Sequence, residues 1–304
     1  MAKTVGSGAY TYEVLEDWQQ LPEGWRAPMS SVTVDSQGRV YGFCRGEHPV
    51  IVFDRDGRFL GSWGEGLFAM PHDIHADHQD NIWIIDRDYS QIFKFTPEGR
   101  LLMTIGERGR YSDTGVGPGI QSTGYKHVKH PGGPFNLPTG LDVSESGEIF
   151  IADGYANCQV HRFSADGRHL ASWGQPGSGP GEFVLPHDVW LDSRGRVLVA
   201  DRENDRIQLF TQAGEFIGIW PTPLIGVAAI WVDAQGYVYV PEHNSGQFSV
   251  LNLDGERLAR WGSPKCRSCH DVSGDAEGNV YFVQPLDNEG SKGRRIVKYV
   301  RTGS

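Results

Sequence analysis

The chain of 304 residues has little cysteine and little positive charge. The first shortage excludes a class of fold, and the second argues against two classes of binding partner. Its four cysteines are too few to hold a chain of this length together with disulfides. Its 28 Lys and Arg residues are outnumbered by 38 Asp and Glu residues, and the net charge of -10 argues against nucleic acid or an anionic membrane surface as a partner. The net charge says little about small-molecule substrates, which stay open as partners.

Long apolar stretches are also missing from the sequence. No run approaches the roughly 18 apolar residues that a membrane-spanning helix needs. Residues 1–10 lack the apolar core of a secretory signal peptide. We expect a cytoplasmic protein, although a secreted form without its signal would look the same. The oligomeric state is left open, and a monomer is compatible with the sequence.

Glycine and tryptophan are abundant, with 40 and 9 residues, and they recur in a repeated unit. In the first copy, residues 32–64, a short apolar stretch leads to Asp35-Ser36-Gln37-Gly38 and ends at Trp63-Gly64. Apolar residues alternate or run in short blocks, as they do in strands, and glycine supplies the positive φ of a tight turn. Each unit has roughly 40 residues, the size of a four-stranded propeller blade.

Six such units predict an all-β, six-bladed β-propeller that forms a single domain over residues 1–304. The predicted blades cover approximately residues 32–66, 71–109, 138–174, 186–220, 226–262 and 269–302. The last unit ends after three strands, and the segment 10–22 is predicted to complete it and close the ring. A β-sandwich and an open repeat array are the alternatives.

One connection, residues 107–134, is long and rich in glycine. Loops of this length inside a domain are usually functional or disordered. Because it carries His127 and His130, the loop is a candidate lid over the central opening.

Three histidines occupy one repeat position in alternate blades: His72, His187 and His270. Alternate blades of a six-membered ring lie about 120° apart, so the three imidazoles are expected to converge on the axis. Three neutral imidazoles form an open metal site, with zinc as the first choice and copper, nickel, cobalt or iron as alternatives. The Asp after each His either orients an imidazole or bonds to the backbone.

The third histidine also lies in Cys266-Arg267-Ser268-Cys269-His270, which fits the attachment pattern of a c-type haem. Haem attachment requires export and would remove His270 from its two partners. A reversible disulfide and thiol ligation by Cys269 are further alternatives, beside two ordinary thiols.

The strings Asp153-Gly154-Tyr155-Ala156-Asn157 and 201–208 go beyond generic repeats of the type called NHL. Together with the three histidine blocks, they resemble peptidyl-α-hydroxyglycine α-amidating lyase, from about Val32 to Tyr299. The resemblance implies a propeller with a catalytic zinc on its axis and a structural calcium deeper in the channel. It also implies cleavage of the C–N bond of an N-acyl-α-hydroxyglycine, which yields an amide and glyoxylate.

Nine positions match functional residues of that family. In the order zinc ligands, catalytic tyrosine, substrate-binding active-site arginines and calcium ligands, they are His72, His187, His270, Tyr155, Arg45, Arg202, Asp271, Val32 and Ile74. The resemblance implies that Asp271 contributes its side chain to calcium, whereas Val32 and Ile74 contribute backbone carbonyls.

The sequence departs from the family pattern at Ala156, where the family has a disulfide cysteine, and at Ser268-Cys269, where it has Met-Pro. A monooxygenase domain that would make a hydroxyglycine is not expected in these residues. These departures count against a peptide substrate more than against the metal centre, and a small N-acyl or aryl hemiaminal or another hydroxylated acid is the alternative substrate. A lactonase-like metal-dependent hydrolase and a non-catalytic NHL interaction scaffold are the alternative functions.

Overall fold

The computed structural model describes residues 3–117, 119, 122–286 and 290–303, and β-strands dominate them. Six antiparallel sheets follow one another along the chain, and neighbouring sheets contact each other through their first strands around a central axis. The protein is a six-bladed β-propeller, which confirms the predicted fold class. No helix in the described part of the chain is both long and apolar enough to cross a bilayer.

The strands, numbered in chain order and grouped by sheet, have the following bounds. They are β1 (Lys3–Ser7) and β2 (Tyr10–Leu15); in blade 1, β3 (Met29–Val34), β4 (Val40–Cys44), β5 (Val50–Phe53) and β6 (Phe59–Trp63); in blade 2, β7 (Pro71–Ala76), β8 (Ile82–Asp86), β9 (Gln91–Phe95) and β10 (Leu101–Ile105); in blade 3, β11 (Gly140–Val143), β12 (Ile149–Asp153), β13 (Gln159–Phe163) and β14 (His169–Trp173); in a separate parallel pair, β15 (Gln175–Pro176) and β16 (Glu182–Phe183); in blade 4, β17 (Pro186–Leu191), β18 (Arg196–Asp201), β19 (Arg206–Thr211) and β20 (Phe216–Ile219); in blade 5, β21 (Trp231–Val232), β22 (Val238–Glu242), β23 (Gln247–Leu251) and β24 (Arg257–Gly262); and in blade 6, β25 (Asp271–Gly274), β26 (Val280–Pro285) and β27 (Arg294–Arg301). Short 3-10 helices span Gly124–His127, Arg202–Asn204, Pro264–Cys266 and Gly290–Gly293.

The ring closes through β2, which pairs with β27 of the last blade in antiparallel register, from Tyr12 opposite Arg301 to Leu15 opposite Lys298. Strand β1 then adds a fifth strand to this sheet, and the sequence did not predict it. Its residues are mostly exposed, so β1 lacks the buried alternation that marks the other strands. The segment predicted to close the ring extended to residue 22, whereas the strand itself ends at Leu15.

In every blade but the third, one aspartate organises the turn between the first and second strands, and in blade 3 Ser144 takes its place. In blade 1, the Asp35 carboxylate accepts hydrogen bonds from the backbone N–H groups of Gln37 and Arg39, and Gly38 adopts a φ of +76°. In blade 2 the residue equivalent to Gly38 is Asp80, which adopts a φ of +61°. An aspartate tolerates this left-handed conformation better than most residues, so the turn forms there without glycine.

The apolar core lies between adjacent blades. Phe248 of β23 and Phe282 of β26, for example, pack with their ring centroids 4.1 Å apart. The first strands, β3, β7, β11, β17, β21 and β25, line the axis. Residues at the start of a first strand therefore face the residues at the same repeat position in the other blades.

Removing the Tyr12 side chain should destabilise the ring closure. Tyr12 is fully buried, packs against Trp261 at 5.4 Å between centroids and shares a 3.1 Å hydrogen bond with the Tyr239 hydroxyl. We expect Tyr12→Ala to lower the free energy of unfolding by about 3–5 kcal/mol, measured by denaturant titration. Thr4→Ala, on the exposed strand β1, is the control, and an equal effect of the two variants would contradict a closing role for β2.

Candidate metal centre

His72, His187 and His270 meet on the propeller axis. The first two are the second residues of β7 and β17, and His270 directly precedes β25. Their ring centroids are 4.9, 5.0 and 5.1 Å apart, which is close to three-fold symmetry, and all three side chains are buried. One potential ligand atom from each ring lies within 4.8 Å of the others. The arrangement can hold a metal ion.

A backbone carbonyl of the next blade determines the tautomer of each imidazole. The Nδ1 atoms of His72, His187 and His270 lie 2.6, 2.6 and 2.7 Å from carbonyl oxygens of, respectively, Thr139, Ala228 and Ser30. A carbonyl oxygen only accepts hydrogen bonds, so each Nδ1 carries the proton. Each Nε2 is then left with a free lone pair, which is the form that binds a metal.

The charge environment keeps these imidazoles neutral. Burial lowers the pKa of His72 well below its usual range, and the positive charges of Arg45 and Arg87 lower it further. Burial acts in the same direction on the pKa values of His187 and His270. Protons therefore compete weakly with a cation for the three nitrogens at neutral pH.

The aspartates that follow the histidines join neighbouring blades. Asp73 accepts a hydrogen bond from the Leu141 N–H at 3.1 Å, Asp188 one from Ile230 and Asp271 one from Val32. Since the imidazole Nδ1 atoms bond to carbonyls, the structure selects the backbone role for these aspartates.

The three positions that resemble calcium ligands lie together, on the side of the histidines opposite to Tyr155. Val32, Ile74 and Asp271 line a cavity of about 70 Å³, as do Asp73 and Asp188. Burial raises the pKa of Asp73 to about 6 and that of Asp271 to about 8. Carboxylates whose pKa is raised in this way are suited to bind a cation, because a cation would stabilise their charged form.

Tyr155 lies directly beside the metal centre. Its hydroxyl is 3.2 Å from Nε2 of His187 and 3.4 Å from Nε2 of His72. Burial raises its pKa, but the positive charges of Arg202 and Arg87 outweigh burial, so that the pKa lies below its ordinary value. The phenol is thus placed and tuned to exchange a proton.

Both arginines identified from the sequence lie near this tyrosine. Nη1 of Arg202 is 3.4 Å from the Tyr155 hydroxyl, and Nε of Arg45 donates to the Pro71 carbonyl at 3.0 Å. The structure adds Arg87, which was not predicted from the sequence and whose guanidinium carbon lies 5.2 Å from the centroid of the Tyr155 ring. Its place directly after a second strand, like that of Arg202 after β18, was the available signal.

The long connection between blades 2 and 3 contacts the site in part. Val116 and Tyr125 pack against the cluster that contains Tyr155, whereas His127 and His130 are exposed. Residues 118, 120 and 121 of this connection lie outside the described residues. Lid closure stays a prediction.

All four cysteines are free thiols, and Cys269 is fully buried next to His270. Burial raises the pKa of the Cys269 thiol beyond its usual range, which disfavours the thiolate that metal ligation needs.

Residues 140–256 match a protein family described as a 6-bladed beta-propeller. Human NHL repeat-containing protein 3 is 33% identical over 222 residues, which cover 69% of this chain and 59% of that protein. Rat peptidylglycine alpha-amidating monooxygenase is 31% identical over 248 residues, covering 69% of this chain and 23% of that protein. Peptidyl-alpha-hydroxyglycine alpha-amidating lyase 1 of Drosophila melanogaster is 33% identical over 183 residues, covering 56% and 30%. The chain thus spans less than two thirds of the length of each of these relatives.

Two solved structures share the fold at low sequence identity. Virginiamycin B lyase from Staphylococcus aureus has a TM-score of 0.60 and 16% identity, over 93% of this chain and 82% of that one. A gluconolactonase from Xanthomonas campestris has a TM-score of 0.65 and 14% identity, over 96% and 91%. At these identities the likeness supports the propeller architecture alone.

Loss of one imidazole should abolish stoichiometric metal binding. Because three nitrogens would share one ion, we expect His187→Ala to weaken affinity for a divalent metal by more than about 100-fold, seen as loss of bound metal in elemental analysis after dialysis against zinc. His169→Ala removes an exposed imidazole of blade 3 and should leave the stoichiometry unchanged. Equal metal content in both variants would exclude the axial site.

Proposed function

We propose that this chain, a six-bladed NHL-repeat propeller homologous to peptidyl-α-hydroxyglycine α-amidating lyases and to NHL repeat-containing protein 3, is a metal-dependent lyase. Its reaction is cleavage of the C–N bond of an N-acyl-α-hydroxyglycine or a similar hemiaminal, which gives an amide and glyoxylate. The observation that carries this proposal is the position of the Tyr155 hydroxyl, within 3.4 Å of Nε2 of both His72 and His187.

Zinc is the proposed ion, held by Nε2 of His72, His187 and His270. Three neutral nitrogen ligands with open positions suit zinc, and its chemical contribution is to make a coordinated hydroxyl group more acidic. Calcium is the proposed occupant of the cavity that Asp271, Val32 and Ile74 line, where it would have a structural role.

Tyr155 acts as the general base in this proposal. Against the effect of burial, the positive charges of Arg202 and Arg87 lower its pKa, which favours the phenolate, and its hydroxyl oxygen lies 3.2 Å from Nε2 of His187. It removes the proton of the substrate hydroxyl group, the C=O bond of glyoxylate forms, and the C–N bond breaks. The proton on Tyr155 then passes to the departing amide nitrogen, so the reaction consumes no water.

Arg202 and Arg45 hold the carboxylate of the substrate. A guanidinium presents a planar fork of N–H groups that matches a carboxylate with two hydrogen bonds. Arg202 is buried, and its Nη1 lies 3.4 Å from the Tyr155 hydroxyl, so a carboxylate bound there places the adjacent carbon beside the base.

The reaction type is tested by product analysis. Zinc-loaded protein incubated with N-benzoyl-α-hydroxyglycine should release benzamide and glyoxylate in equal amounts, and a chelator should abolish the release because the ion is required. A hydrolysed lactone in a parallel assay, without glyoxylate from the hemiaminal, would favour a hydrolase. Activity that survives complete removal of metal would overturn the proposal.

The role of Tyr155 is tested by Tyr155→Phe. Loss of a general base should lower kcat by about 10²–10⁴-fold, whereas metal content should stay at the level of the unaltered protein. Tyr125→Phe, which alters a half-buried tyrosine packed against the same cluster, is the matched control and should keep nearly full activity. A kcat within a few-fold of the unaltered protein for Tyr155→Phe would refute the base.

A further inference from the structure

One position recurs above the histidines in five blades, and it carries mostly cationic side chains. In each of these blades, a residue just after the second strand donates its backbone N–H to the carbonyl located two residues before the histidine position. We call this place the rim position. Its residues, from blade 1 to blade 5, are Arg45, Arg87, Tyr155, Arg202 and His243.

Blade 6 fills the rim position in a different way. Its second strand, β26, ends at Pro285, which has no N–H to donate. Arg294, opposite Pro285 in β27, instead donates its side-chain Nε to the equivalent carbonyl, that of Ser268, at 2.6 Å. A fourth guanidinium thereby joins the rim.

The four arginines form two pairs on neighbouring parts of the ring. Arg87 and Arg202 flank the Tyr155 ring, at 5.2 and 5.6 Å from its centroid. Each of them forms an ion pair with the acidic residue that follows it, Asp88 at 2.7 Å and Glu203 at 3.0 Å. Their positive charges are therefore partly compensated within the protein.

The second pair, Arg45 and Arg294, comes from the adjacent blades 1 and 6. Within residues 3–117, 119, 122–286 and 290–303, neither side chain forms an ion pair with a carboxylate. Arg294 is 4% exposed, and its Nη1 is buried without a hydrogen-bond partner in that part of the chain. Burial, and then the charge of Arg45, lower the pKa of Arg294 to about 10.

A cavity of about 420 Å³ adjoins Arg294, and the charged side chains that line it are positive. Its lining includes Arg26, Lys292 and Arg295, and none of its described lining residues is acidic. The cavity thus offers space beside a guanidinium that has no carboxylate partner in the described part of the chain, with further cations around it.

We propose that Arg294, together with Arg45, binds a second acid group of the ligand, and that this protein acts on a small dicarboxylate. In terms of the proposed function, on which this assignment of substrate rests, the substrate is an N-acyl-α-hydroxyglycine whose acyl part ends in a carboxylate. The α-carboxylate binds Arg202 and Arg45. The acyl chain extends beyond Arg45, and its carboxylate reaches Arg294, which lines the adjoining cavity.

The physical reason is that Arg294 is buried and has no ion-pair partner within the described residues, so its positive charge is costly without a ligand. A buried charge without a partner is strongly unfavourable, and so is a buried N–H group without an acceptor. A carboxylate supplies both the charge and the acceptor, and it can bond two guanidinium N–H groups at once. A ligand with a single carboxylate, bound by Arg202 and Arg45, would leave Arg294 unmatched.

Binding of simple acids tests the site without any need for catalysis. Titration calorimetry on the zinc-loaded protein should show succinate binding at least about 10-fold more tightly than butyrate, which has the same number of carbons and one carboxylate. Arg294→Gln should weaken succinate binding by about 10- to 100-fold, the range for a charged hydrogen bond. Arg58→Gln, which removes an exposed charge in blade 1, is the control and should not change it.

Turnover then separates this inference from the proposed function. Arg294→Gln should lower the ratio of kcat/KM for N-succinyl- over N-butyryl-α-hydroxyglycine by about 10- to 100-fold. Lyase activity with no preference between the two substrates, and no change of the ratio in the variant, would overturn the dicarboxylate site and leave the lyase intact. Arg294-dependent succinate binding without turnover of either compound would reject the lyase and retain the site.

A folding control completes the test. Arg294→Lys keeps the charge, and it should retain part of the preference for succinate if Arg294→Gln fails to fold. Equal affinity of the unaltered protein for succinate and butyrate would contradict the proposal whatever the variants do.

Discussion

The hydrogen bond from each histidine Nδ1 to a carbonyl of the next blade is the interaction on which the rest of the site depends. It couples every even blade to the following odd blade, through Thr139, Ala228 and Ser30. It also leaves each Nε2 free and directed toward the axis. The odd blades, which carry no histidine at this position, therefore contribute to the centre through their backbone.

Charge is separated along the axis around this centre. Arginines at the rim position lie on the side of Tyr155, where they add to burial in lowering the pKa of the imidazoles and, against burial, lower the pKa of the phenol. Aspartates lie on the opposite side, where they join the blades and line the small cavity. A cation at the histidines would thus lie between a face that attracts anions and a face that attracts cations.

The sequence was most informative where a residue repeats in register. The predicted propeller and the convergence of His72, His187 and His270 followed from position within the unit, because equivalent positions in a closed ring must face each other. Arg87 and Arg294 were missed for opposite reasons. Arg87 occupies a repeat position that was overlooked. Arg294 reaches the rim from β27, the third strand of blade 6, and no repeat position predicts that contact.

The sequence by itself determined the number of blades, their turns and which three imidazoles meet, since these depend on local patterns and on periodicity. Only the tertiary structure decided which nitrogen of each imidazole is free, what the neighbouring aspartates bond to, and how Arg294 takes the place that Pro285 leaves open. Those outcomes depend on contacts between blades that are distant in the chain. Hydrogen-bond partners and buried charges of this kind arise only when the ring has closed.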